Sequence, residues 1–179
     1  MRTLIELFSK LIFLLFGGAV VALSLLSANR TLSHGEGLQL ARQQFYLQGA
    51  ISPDHLLYPA AMAVDRVELL LAGPEQTANL KLEYAWQRFY HAEDLLNRGY
   101  HSLSFSTLTK AYKYYNEALL AAQQLPLDSQ QKTALIKDSQ VFEERVQSLF
   151  ASFTHDERQE LVRLSDQQGL LEQFLIDSI

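Results

Sequence analysis

From Leu11 to Ala28 the chain runs eighteen residues without a charge, "LIFLLFGGAVVALSLLSA"; beyond Leu56 that continuity gives way to apolar positions recurring every three or four residues. As a helix the first run spans about 27 Å, close to the roughly 30 Å hydrocarbon core of a bilayer. Lys10 and Arg30 bracket it as snorkelling anchors do. The pattern predicts a cytoplasmic tail over 1–10 and a transmembrane signal-anchor over 11–28. A secretory signal cut after Ala22-Leu23-Ser24, releasing the rest, is the competing expectation, but the apolar run continues past that point. Lysine and arginine nearly balance on the two flanks, so a cytoplasmic N-terminus and an extracytoplasmic body rest on the short head and the large part that follows.

A polar, glycine-punctuated linker occupies 29–52, where Leu38, Ala41 and Phe45 fall at helical spacing and predict a short juxtamembrane helix. The remainder, 53–179, reads as successive helices. The first begins at Ser52-Pro53-Asp54 or at Tyr58-Pro59, since proline suits a first turn, where no backbone donor is missed. Its Ala60, Val64, Val67 and Leu71 predict a buried stripe, with Asp65, Arg66 and Glu68 solvated on the flank. Gly73-Pro74 opens a second helix whose Ala78, Leu82, Ala85, Phe89, Ala92 and Leu96 form an almost unbroken seam, ended by Gly99. A third starts at Ser102 or Ser104, carries Leu108, Ala111, Tyr115, Ala118 and Ala122, and closes by Leu125-Pro126. Capping boxes at Asp128/Gln131 and Thr154/Glu157 open a fourth and a fifth, and Gly169 is expected to interrupt the last.

Nothing alternates at period two, so no sheet is expected. The predicted fold is all-α: an N-terminal transmembrane helix, then an up-and-down antiparallel bundle of four to five helices, with alanines drawing the second and third into a close hairpin.

Composition narrows the chemistry. Apolar residues are 48%, charged residues 20% and the formal net charge −5, which fits a globular body and argues against nucleic acid, whose phosphates require a clustered basic surface. Without cysteine the chain lacks disulfides, thiolate nucleophiles and Cys-based zinc sites. The histidines, at 34, 55, 91, 101 and 155, never pair at i, i+3 or i+4, so no metal-binding helix edge is predicted. No nucleophile frame, phosphate loop or dinucleotide fingerprint occurs, and acids on amphipathic helices are usually a solvated face. No catalytic residue, metal or cofactor is therefore assigned.

Aromatics are the local excess. Trp86, Tyr90, Tyr112 and Tyr114 lie off the two seams, about 100° or more per step around a helix. Either the bundle uses wide apolar faces internally, or these residues with Arg88 as a polar anchor form a partner-binding surface for another protein or a second copy.

Pro53-Asp54, Tyr58-Pro59, Asp65, Pro74-Glu75, Ala78, Leu80, Leu82 and Ala85-x-x-Arg88 together resemble the pattern of the bacterial domain of unknown function family 5667. The quoted motifs lie in Pro53 to Gly99, and the resemblance covers about residues 53–125. It implies a single-pass, extracytoplasmic helical domain and no particular activity. This chain departs from the pattern at Ala60-Ala61-Met62, where members often carry a lysine, and at His91, where an acid is usual. The reading that follows is a membrane-anchored extracytoplasmic helical interaction or scaffold domain of the bacterial cell envelope, not an enzyme. The alternative is a sensory or regulatory module binding a metal ion or small ligand in the bundle.

Overall fold

The computed structural model describes residues 52–178 other than Leu57, and within them the chain is helical throughout, with no strand. Five α-helices follow one another: α1 Tyr58–Leu71, α2 Pro74–Asn97, α3 His101–Ala122, α4 Ser129–Gln147 and α5 His155–Asp177, with a 3-10 turn at Phe150–Ser152 before the last. No helix among the described residues is long and apolar enough to cross a membrane. The anchor expected at 11–28 and the juxtamembrane helix expected around Leu38 to Phe45 lie outside them.

The punctuation works largely as anticipated. Pro74 sits in the first turn of α2, where its missing donor is harmless. At the other end Gly99 adopts φ +83°. Its N–H donates to Leu96 O and that of Tyr100 to Leu95 O, the paired bonds of a Schellman stop. Both capping boxes are present: Asp128 with Gln131 at α4, and Thr154 with Glu157 at α5. Two boundaries differ. α3 begins at His101 with Tyr100 as N-cap, and Ser104 instead donates its hydroxyl to Ala92 O at 2.7 Å, fastening α3 to α2. α5 runs unbroken through Gly169, because a single glycine weakens a helix by only about 1 kcal/mol. Leu161, Leu164 and Leu175 are buried on both sides of it and outweigh that.

Side-chain pairs give the directions. Ser104 with Ala92, Tyr114 with Tyr84 and Glu117 with Lys81 make α2 and α3 antiparallel. Tyr112 with Glu143 and Tyr115 with Asp138 do the same for α3 and α4, and Ser165 with Glu143 and Gln168 with Ser139 for α4 and α5. Asn116 and Gln123 donate to Leu164 O and Leu171 O, a constant offset that makes α3 and α5 parallel neighbours. The most extensive backbone contact is between α2 and α3. Their seams carry Ala78, Ala85, Ala92, Ala111, Ala118 and Ala122, all buried, and small side chains let helix axes come together. Phe142 of α4 then fills the centre, stacked on Tyr115 at 4.2 Å and edge-on to Trp86 at 5.2 Å. α1 lies outside this core and contributes no buried residue.

Two glycines should respond oppositely to alanine. A Cβ at Gly169 meets open space and its φ is ordinary, so Gly169→Ala is expected to stabilise by about 0.5–1 kcal/mol in urea unfolding. Gly99→Ala forces a side chain into the left-handed region and is expected to destabilise by about 1–2 kcal/mol.

Candidate functional site

Among the described residues Arg88 is the one charged side chain in the buried core, 2% exposed, and α1 is arranged around it. It lies one step off the α2 seam, on the side that meets α1 and Tyr114 of α3. Its Nη1 donates to Tyr84 O at 3.1 Å, while Nη2 donates to Asp65 Oδ2 at 3.2 Å and meets Met62 Sδ at 3.0 Å. The guanidinium lies 4.3 Å from the Tyr114 ring centre and 5.4 Å from that of Tyr84, within cation–π range. Tyr84 Oη in turn donates to Glu68 Oε2 at 2.9 Å. Just before α1, Asp54 pairs with Arg98, whose guanidinium holds that carboxyl down at about 2.

This junction overturns the expected orientation of α1. The stripe through Val67 and Leu71 was expected inside and the acids outside. Instead Asp65 and Glu68 face the bundle, while Val67, Leu70 and Leu71 are 44%, 84% and 69% exposed. The reason is that buried polar groups on α2 need acceptors. Leaving a guanidinium unpaired in the interior costs about 3–5 kcal/mol, and a tyrosine hydroxyl without an acceptor adds to that. The helix that covers Arg88 must bring carboxylates, and α1 brings two on one face.

Burial raises the Asp65 pKa even against the opposing pull of Arg88, and lifts Glu83 to about 7 with help from Glu68 and Asp65. Burial, with Arg88 second, lowers His91. A cleft of about 30 Å³, the size of a water or two, opens among Tyr58, Met62, Asp65, Arg88 and His91. Arg88 Nε and His91 Nδ1 are buried there without a protein partner. A fixed guanidinium beside the Met62 sulfur and Asp65 makes the cleft unfavourable for a cation. Among the described residues no three His, Asp or Glu gather as metal ligands.

A second polar cluster sits at the opposite side of α2. Asp138 of α4 accepts from Trp86 Nε1 at 3.1 Å and Tyr115 Oη at 2.7 Å. Burial raises its pKa although both hydrogen bonds pull the other way. Glu143 accepts from Tyr112 Oη at 2.9 Å and from Ser165, and Glu172 accepts from Ser139. These acids hold helices together.

The five residues considered for a partner surface are thereby divided. Trp86 and Tyr112 are fully buried against Phe142, and Tyr90, nearly buried, stacks on Trp86; Arg88 is buried and Tyr114 half-buried in the α1 junction. They form no contiguous exposed patch; of the two alternatives, their burial answers to wide apolar faces used inside the bundle. α2 is covered by α3 along its seam, by α4 beside Trp86 and by α1 beside Arg88, so positions off the seam also face a neighbour. Asp65 and Glu68, read as solvated acids, are instead acceptors of the bundle, and Tyr84, Asp138 and Glu143 were not singled out. Their only sequence signal was that a buried arginine and buried phenols need acceptors.

Residues 50–167 match the family model described as Domain of unknown function (DUF5667). That range takes in the Arg88 junction, α1 to α4 and the first half of α5, and extends well beyond the expected 53–125. No curated protein and no solved structure matches the chain.

Arg88→Met is expected to destabilise by about 3 kcal/mol in urea unfolding, because Asp65 is left buried and alone; adding Asp65→Leu should recover most of that loss. Glu83 makes the fold sensitive to pH. Its carboxyl is 4.5 in the open chain and about 7 in the fold, so the fold binds the extra proton between those values and stability falls as pH rises through that window. Glu83→Gln should be more stable than the natural chain by about 3 kcal/mol near pH 8.5 and equal to it near pH 4.

Proposed function

Because the chain belongs to the Domain of unknown function (DUF5667) family, a description that carries no activity, we propose its role from the geometry: a membrane-anchored, extracytoplasmic helical scaffold domain of the bacterial cell envelope that works by surface contact and catalyses no reaction. The observation that carries this reading is the inversion of α1. A helix that turns its acids to the bundle and Val67, Leu70 and Leu71 outward is built to meet another surface. The disposition of the other acids supports it. Asp65, Glu68, Asp138, Glu143 and Glu172 each accept a hydrogen bond within the bundle, so they act as structural ties between helices. The uncharged run 11–28 supplies the bilayer segment, and the body lies on the outer side.

One observation favours a second reading, a sensory module for a small polar ligand: Arg88 Nε and His91 Nδ1 share the cleft beside α1. The guanidinium there speaks against the metal form of that reading.

The absence of cysteine allows a direct test of the first. In intact cells, a membrane-impermeant maleimide should label Gln140→Cys, which is exposed on α4, while Arg2→Cys should react only after lysis. The chain should also stay with the membrane through a carbonate wash. Reversed labelling, or release by carbonate, would remove the anchored extracytoplasmic reading.

A further inference from the structure

Resting on the anchored reading above, we propose that the outward face of α1 lies on the lipid surface of the same bilayer, so that the body is held against the membrane at two places. Ala60, Ala63, Val67, Leu70 and Leu71 are all exposed and fall within about 100° of arc on one helix. Leu56, 91% exposed, precedes them by one turn. The only charge on this exposed face is Arg66, a cation on a long apolar stem suited to reach lipid phosphates. Asp65 and Glu68 are turned to Arg88 and Tyr84 and are thereby withdrawn from the outward face. The ion-pair junction therefore clears acids from the face an anionic bilayer would meet.

The size of the face selects lipid over other occupants. Four bulky side chains expose well under the roughly 800 Å² that each partner buries in a stable complex, so a second copy or a free protein would be held weakly. A short amphipathic face is likewise marginal for lipid when it acts alone and becomes effective with a second signal. Here the second signal is in the same chain. Residues 29–57 join the uncharged run to α1, the nearest described helix, and at full extension reach no more than about 100 Å. Docking of α1 is thus an intramolecular step at high effective concentration, and a face too small for a free partner suffices.

The full-length chain, placed singly in nanodiscs of phosphatidylcholine and phosphatidylglycerol, provides the test. A bimane label is attached in turn at Leu70→Cys, Gln140→Cys and Ala22→Cys, and quenched by aqueous iodide or by doxyl-labelled lipid. The label at Leu70 is expected to lose most of its iodide quenching relative to Gln140 and to gain quenching by doxyl lipid. Equal iodide quenching at Leu70 and Gln140 overturns the docking. So does a Leu70 label shielded from iodide but untouched by doxyl lipid, which would mean that protein covers the face. Doxyl quenching at Ala22 without it at Leu70 rejects the docking alone, whereas its absence at Ala22 rejects the anchor and the docking together.

Discussion

A guanidinium enclosed by the bundle constrains everything around it. Arg88 cannot lose its charge, and at 2% exposure it has almost no water to solvate it. Its surroundings must therefore supply acceptors and π-faces, and they come from three helices: Tyr84 from α2, Tyr114 from α3, Met62 and Asp65 from α1. The rotation of α1, the placement of its acids and the exposure of its leucines all follow from that one requirement. Had position 88 been apolar, the stripe of Val64, Val67 and Leu71 would have been free to pack inward.

The same logic recurs where α4 meets the hairpin. α4 contributes Leu135, Phe142 and Val146 to the core, but its rotation is set by Asp138 and Glu143, which receive Trp86, Tyr115 and Tyr112. Apolar packing is tolerant of small slides, whereas a carboxylate shared by an indole and a phenol is not. The bundle thus combines two kinds of interface. α2 and α3 meet through alanines at close range; α1 and α4 attach through hydrogen-bonded acids at longer range. That division puts the contacts least tolerant of sliding at the outside of the molecule.

Much of this was legible in the residues. Pro74, Gly99 and the two capping boxes act locally, and local signals survive into the fold. The α2–α3 seam was legible for the same reason, since alanine every three or four residues has only one use. What escaped were features decided between elements. Counting apolar positions along α1 finds a stripe, but cannot tell whether a charge on a neighbouring helix outbids it. Trp86 and Tyr90 lie off their seam and resemble surface residues until α4 is known to cover them. Gly169 reads as a break, since its weak local preference is visible and the leucines that override it act through tertiary packing. The Arg88 site was half visible: the arginine was named, its acids were taken as solvated.

The tight α2–α3 turn also bears on the order in which the molecule assembles. Ser104 and Ala92 touch across only the Gly99 stop, so their loop closes over a short stretch of chain and at little entropic cost. Contacts at such small sequence separation favour early formation of the hairpin. α4 and α5 arrive later onto a surface that has been prepared for them. α1 finds both partners of its acids, Arg88 and Tyr84, on α2, and the Tyr114 ring of α3 completes the enclosure. The pocket around Arg88 is therefore closed only where helices from both sides of α2 in the chain meet it.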